Sequence, residues 1–268
     1  MKGFILSLRS EFYKSRKTMG FWSSVVFPLL IVGMIFIGFL TSPGNAAKLP
    51  GVALWMIYIL PISAIMNFLL PMYIIFTSYS VNAIEHKADT WKTLFTLPIS
   101  KWAVYSAKYA FNVFLVLLCL ILFYLFIIGS GNLLGVLKPD LKFYDYHIEG
   151  YLAKVFAKLF LVSLGITSLQ FLMSLLWSDF LKPMGIGFVC TIAGLISVGV
   201  NWQYNYYIPY AHPALAMTGL RNNGKSAHSQ GMPQFTVDMF TKEVYVSLIV
   251  AAAVFILGFL IVQKKSVK

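Results

Sequence analysis

Six stretches of 20 or more residues in this 268-residue chain contain no Asp, Glu, Lys or Arg: Thr18–Ala47, Leu49–Ile84, Tyr109–Leu137, Leu159–Ser178, Pro183–Leu220 and Val244–Gln263. About 20 helical residues cross a hydrocarbon layer about 30 Å thick. Each stretch can therefore supply one span, and even the two longest are too short for two spans and a turn. Backbone groups in lipid must be paired internally, which leaves helices or a closed barrel. Continuous apolar runs rather than period-two alternation exclude the barrel. The pattern predicts an all-α integral membrane protein, a single transmembrane domain over residues 1–268 with six transmembrane helices. Composition agrees: 59% of residues are hydrophobic and 11% charged, against about 25% charged in soluble domains, which excludes a soluble enzyme.

Orientation follows from the placement of Lys and Arg. With the N-terminus in the cytoplasm, 13 of the 21 basic residues fall in cytoplasmic segments and 8 in outer ones. Both termini are thus expected in the cytoplasm, with the chain spanning the cytoplasmic (inner) membrane. The net charge of +12 does not point to nucleic acid, because no cluster of basic residues marks a soluble binding face. Cys119 and Cys190 lie inside apolar blocks without ligand-spaced neighbours and read as small buried side chains. No metal site and no catalytic residue is expected.

The first 19 residues are not a secretory signal, since Arg9, Glu11, Lys14, Arg16 and Lys17 interrupt the apolar region such a signal requires. Phe4, Ile5, Leu8 and Phe12 recur at helical spacing. They suggest an amphipathic helix in the membrane interface with its basic face towards anionic lipid; a plain basic flank that sets topology is the alternative.

Residues 80–101, between spans two and three, are the most informative. Ile84, Ala88, Trp91, Leu94 and Phe95 share one helical stripe, with Glu85, Lys87, Asp89, Lys92 and Thr93 around it. Asp89 or Thr90 can cap a short helix, Pro98 ends it, and Ser100 can cap span three. Such a helix suits docking into a groove on a soluble partner. Alternatively, Trp91 and Phe95 anchor an idle loop at the lipid interface.

Three features resemble the permease subunits of type 2 ATP-binding-cassette (ABC) transporters. They are the N-terminal segment Ser10-Glu11-Phe12-Tyr13-Lys14-Ser15-Arg16-Lys17 running into span one; the loop pattern Glu85…Asp89-Thr90…Leu94…Leu97-Pro98-Ile99-Ser100-Lys101; and six spans with a long external segment, 203–242, before the last. Asp89 departs from the common pattern, which has Gly there. The Lys-rich, Trp-containing loop is similar to that of lantibiotic and peptide-antibiotic immunity exporters. The resemblance implies a pair of permeases, homo- or heterodimeric, above two cytoplasmic ATPase subunits that carry the ATP and Mg; this chain binds no cofactor. It implies that Glu85, Thr90, Trp91, Leu94 and Phe95 contact the ATPase, with Glu11 and Lys14 beside them. It also implies an exporter whose cargo is a hydrophobic or amphipathic molecule such as a peptide antibiotic, lipid or drug.

One motif argues otherwise. Gly219-Leu220-Arg221-Asn222-Asn223-Gly224-Lys225-Ser226 satisfies G-x-x-x-x-G-K-[ST]. That pattern cradles phosphate only where a strand feeds the loop and a helix follows it. Here Gly231 and Pro233 break any following helix early, and the segment is shorter than a domain. The match is read as coincidental.

Within the spans, Ser163, Thr167, Gln170 and Ser174 share one face of span four. They either line a transport path or act as helix–helix glue. Asn67, between Pro61 and Pro71 in span two, is a further path candidate, and the prolines predict bends. Gly187, Cys190, Thr191, Gly194 and Ser197 form a small-residue stripe on span five. Because spans one and five meet across the pair in the resembling family, this stripe is the candidate dimer seam. Short re-entrant helices capping the pathway are implied for Tyr204–Met217, and His212 and His228 of the external segment are isolated. A membrane-embedded enzyme would need acids with His, or Ser with a base, inside the spans, and these are lacking. A non-transporting anchoring subunit is the other alternative.

Overall fold

The computed structural model describes residues 2–42, 44, 51–88, 98–218 and 237–264. Seven long helices organise it: α1 Lys2–Ser15, α2 Met19–Thr41, α3 Gly51–Ala88, α4 Lys101–Leu137, α5 Glu149–Leu176, α6 Leu181–Gly199 and α7 Lys242–Lys264. All but α1 are long and apolar enough to cross a membrane, so the chain is a six-span helical membrane protein. Among the described residues there is no strand.

The helix starts are set locally. Thr18 caps α2, its hydroxyl accepting from the Phe21 N–H, and Ser100 caps α4 by accepting from the Ala103 N–H. α3 runs unbroken through Pro61 and Pro71. Ser63 donates its hydroxyl to the Leu60 carbonyl beside Pro61.

Apolar side chains gain little by leaving lipid for a helix interface, so close packing and interhelical hydrogen bonds hold such a bundle. α5 is the most enclosed span, and α2 and α7 are peripheral. α5 and α7 approach closely at Gly165, whose N–H donates to the Ser247 hydroxyl at 2.9 Å; a Cβ there would meet the Ser247 backbone. At one end of the bundle, Trp55 donates its indole N–H to the Phe143 carbonyl at 3.0 Å. Its ring lies where any side chain at Gly131 would have to go. The same end carries the Lys158–Glu243 ion pair at 3.1 Å, which ties α5 to the start of α7. Two 3-10 turns, Asn205–Tyr207 and Pro209–Ala211, then pack against α6 and α7, and a short helix over 212–218 follows.

The helices outrun the charge-free stretches furthest at two places, starting at Lys101 rather than Tyr109 and at Glu149 rather than Leu159. In each case the lysine that closes the stretch, Lys108 or Lys158, is buried and ion-paired. A neutralised lysine does not end a span.

Candidate functional site

At the opposite end, where α3 finishes and α4 begins, α1 lies against α4. Its inward stripe is polar rather than apolar: Ser7, Glu11 and Ser15, four residues apart, are its buried residues. Glu85 stands near the end of α3 and Lys108 on the second turn of α4. Lys108, Glu85 and Glu11 are only 1%, 2% and 3% exposed.

These three side chains and Lys14 close a ring. Lys108 Nζ donates to Glu85 Oε2 at 2.6 Å and to Glu11 Oε2 at 2.9 Å. Lys14 Nζ donates to Glu11 Oε1 at 2.7 Å and to Glu85 Oε1 at 2.8 Å. Each carboxylate oxygen thus receives one ammonium, and Lys108 also donates to the Val81 carbonyl at 3.0 Å. Two positive and two negative charges alternate, so the ring is neutral. Burying charges is tolerable only with such complete pairing. Burial lowers the Lys14 pKa, but the Glu11 and Glu85 carboxylates more than offset this, and it stands above its ordinary value of 10.5. The ring fastens three elements together: α1, the end of α3 and the start of α4.

Beneath the ring the same faces carry a neutral polar network. Asn82 Nδ2 donates to Ser174 Oγ at 2.7 Å, and Asn112 Nδ2 to Ser78 Oγ at 2.9 Å. Ser174 Oγ donates to the Ser78 carbonyl at 2.9 Å, and His86 Nε2 lies 2.9 Å from the Ser174 carbonyl. Ser78, Asn82 and Glu85 follow one helical face, as do Lys108 and Asn112. This spacing was readable as a polar seam meeting the loop. Charge counting used Lys108 only to set topology and so did not find it.

The residues expected to touch an ATPase divide into two groups. Thr90, Trp91, Leu94 and Phe95, with the rest of 89–97, lie outside the described residues, as does Gly219–Ser226. Glu85 and Glu11 are turned inward onto lysines instead of outward to a partner, because an unpaired carboxylate at that depth would be costly.

Span four's polar face is wholly buried. Ser163 and Thr167 donate to the carbonyls of Leu159 and Ser163 on their own helix. Gln170 Nε2 donates to Tyr210 OH at 2.7 Å, and Ser174 bonds α3. Within the chain this face packs helices. Thr167→Val is therefore expected to leave transport near wild type and to change stability by about 0.6 kcal/mol or less, checked by thermal unfolding and a transport assay. Asn67 is partly buried, and its Oδ1 has no hydrogen-bond partner.

Within the chain, the small-residue stripe of α6, expected as the dimer seam, turns inward. A Cβ at Gly187 would meet the side chains of Gln170 and Ile75; one at Gly194 would lie 2.8 Å from backbone atoms of Tyr210 and Ala211. Thr191 and Ser197 are buried, and Cys190 is half-buried. The close approach these residues permit is made to α3, α5 and the segment after α6. The outward face of α6 is instead Met184, Phe188, Val189, Ile192 and Ile196. His212 is fully buried, its Nε2 2.9 Å from the Tyr206 carbonyl and its Nδ1 without a partner, and burial lowers its pKa below 6.5.

A cleft of about 610 Å³ opens beside the ion ring, between the start of α2, the second half of α3 and the start of α6. Phe76, Tyr79, Ser80, Lys87 and Phe180 line it, combining aromatic rings, hydroxyls and a cation.

Comparison with known proteins gives one assignment. A family model described as an ABC-2 family transporter protein matches residues 7–194, more than half of the chain. No curated protein and no solved structure matches.

Proposed function

Since the chain belongs to the ABC-2 family of transporter proteins and is therefore a multi-pass permease subunit of an ABC transporter, we propose that it is driven by a separate cytoplasmic ATPase acting at the ion-ring end of the bundle. The observation that carries this reading is the ring itself. It joins α1 to the helix that leads into residues 89–97 and to the helix that leads out of them. Force applied to that loop would reach α3, α4 and α1 together. Trp91, Thr90, Leu94 and Phe95 would supply the contact, while Glu85, Glu11, Lys14 and Lys108 would keep the foot rigid behind it.

In this reading both termini are cytoplasmic, the cell is bacterial, and a second permease copy or homologue completes the path. The ATPase partner holds ATP and Mg. ATPase closure would favour one permease arrangement over another through different contacts in the two states. The cleft lined by Phe76, Tyr79, Ser80 and Phe180 takes over from the buried face of span four as the candidate path. Its mixed chemistry suits an amphipathic cargo, such as a lipid, a drug or the peptide antibiotic of a lantibiotic immunity exporter.

Trp91→Ala should leave the chain inserted and folded while lowering transport at least about tenfold, the loss of about 1.4 kcal/mol or more of coupling free energy. Transport by the co-expressed permease and ATPase in inverted vesicles measures it. Undiminished transport would remove the loop from the coupling path.

A further inference from the structure

α1 is built the opposite way round from a helix on a soluble protein. Its polar stripe, Ser7, Glu11 and Ser15, faces the bundle; Leu8 and Phe12 pack beside it on the start of the bundle, and its other large apolar residues face out: Ile5 is 62% exposed, Leu6 59% and Tyr13 58%. Residues seven apart on a helix lie almost in line. Lys2 and Arg9 on α1, and Arg16 one residue past its end, are exposed at this spacing, in a row with members about 10 Å apart by helical rise. Ile5 runs along one side of the row, with Phe12 beyond it packed on Phe111 and Phe114, and Leu6 and Tyr13 run along the other. The Arg16 guanidinium lies 4.8 Å from the centroid of the Tyr13 ring, and Lys17 is exposed nearby.

Glu11 is the sole acidic residue before Glu85, and it is turned into the ion ring. The outward face therefore carries positive charge without any carboxylate. It also continues into the first span, where Met19 and Trp22 are exposed. A surface of cations set between apolar rows is suited neither to water nor to hydrocarbon, but fits the boundary between them.

We infer that the Lys2–Arg9–Arg16 row is a binding surface for the headgroups of anionic phospholipids. Phosphate oxygens accept the guanidinium fork, the flanking aliphatic and aromatic side chains enter the acyl boundary, and the ion ring holds the helix in register from behind. The inference uses the membrane assignment and not the coupling reading. Each basic residue near an anionic surface contributes about fivefold in affinity.

The test uses the full chain in nanodiscs of phosphatidylcholine with a minor fraction of phosphatidylglycerol, followed by detergent extraction and native mass spectrometry of the lipid retained. Wild type should retain phosphatidylglycerol selectively, and less so at high salt. The Arg9→Gln/Arg16→Gln variant should lose at least about fivefold of that preference, and Arg9→Gln alone a smaller share. Lys142→Gln, exposed at the other end, should match wild type. Absence of selectivity in the wild type, or equal selectivity in the double variant, overturns the inference. So does a double variant that keeps its lipid preference but no longer co-purifies with the ATPase, because the face would then dock protein. A Trp91→Ala variant that fails to uncouple would leave the lipid result unaffected.

Discussion

Lys108→Met is expected to be the most damaging single substitution in the chain, lowering unfolding stability by about 3–5 kcal/mol. It removes the ammonium that bridges Glu11 and Glu85 and leaves two buried carboxylates sharing Lys14. The methylene stem is replaced, so the loss is electrostatic and not a cavity. Thermal unfolding of the purified protein measures the drop, and hydrogen exchange locates it. Exchange should rise first in α1 and the end of α3, since these lose their tie to α4. An unfolding midpoint within a degree of wild type would mean that the ring is not closed in the membrane.

The second large effect is expected at Gly194. A Cβ there would lie 2.8 Å from the Tyr210 carbonyl carbon and the Ala211 nitrogen, and backbone cannot swing aside as a side chain can. Gly194→Val should cost about 1–3 kcal/mol and lift residues 205–211 away from α6, breaking the Gln170–Tyr210 bond. Gly185→Val, on the same helix but with open space around its Cβ position, is the control and should be close to neutral. Limited proteolysis between α6 and α7 reads the difference. Equal protease resistance in both variants would mean that the segment does not depend on its seat at Gly194.

The six spans were legible because the requirement for internal backbone pairing in lipid is written into uninterrupted apolar length. Their ends were less so, and for a specific reason. Lys108 and Lys158 look like span boundaries in a one-dimensional charge count, yet each is neutralised by a glutamate distant in sequence. Glu11 lies 97 residues before Lys108, and Glu243 lies 85 after Lys158, so nothing local announces either pair. Glu85 could be singled out from the loop pattern, but its inward direction depends on where α1 packs. The stripe on α1 shows the same limit. Phe4, Ile5, Leu8 and Phe12 read as one apolar face, whereas Ile5 faces out, Leu8 and Phe12 pack on the bundle, and the buried residues are Ser7, Glu11 and Ser15. Periodicity identifies a helix but cannot say which face the protein covers when the surroundings are lipid. The small-residue stripe of α6 makes its close approach within the chain. Its neighbour was not readable, because a groove of glycines fits a segment of the same chain as well as one from a second.

Whether the ring transmits force or only stabilises the fold is decided by the Lys108→Met/Glu85→Gln double variant, assayed with its ATPase in proteoliposomes. Removing one positive and one negative charge leaves the Lys14–Glu11 pair neutral, and exchanging a buried ion pair for uncharged groups is often close to neutral in stability. The double variant should therefore recover most of the stability lost in Lys108→Met and bind the ATPase normally. With the tie between α1, α3 and α4 gone, transport per ATP hydrolysed should stay at least about tenfold below wild type. A stable double variant that transports at the wild-type ratio would contradict the account.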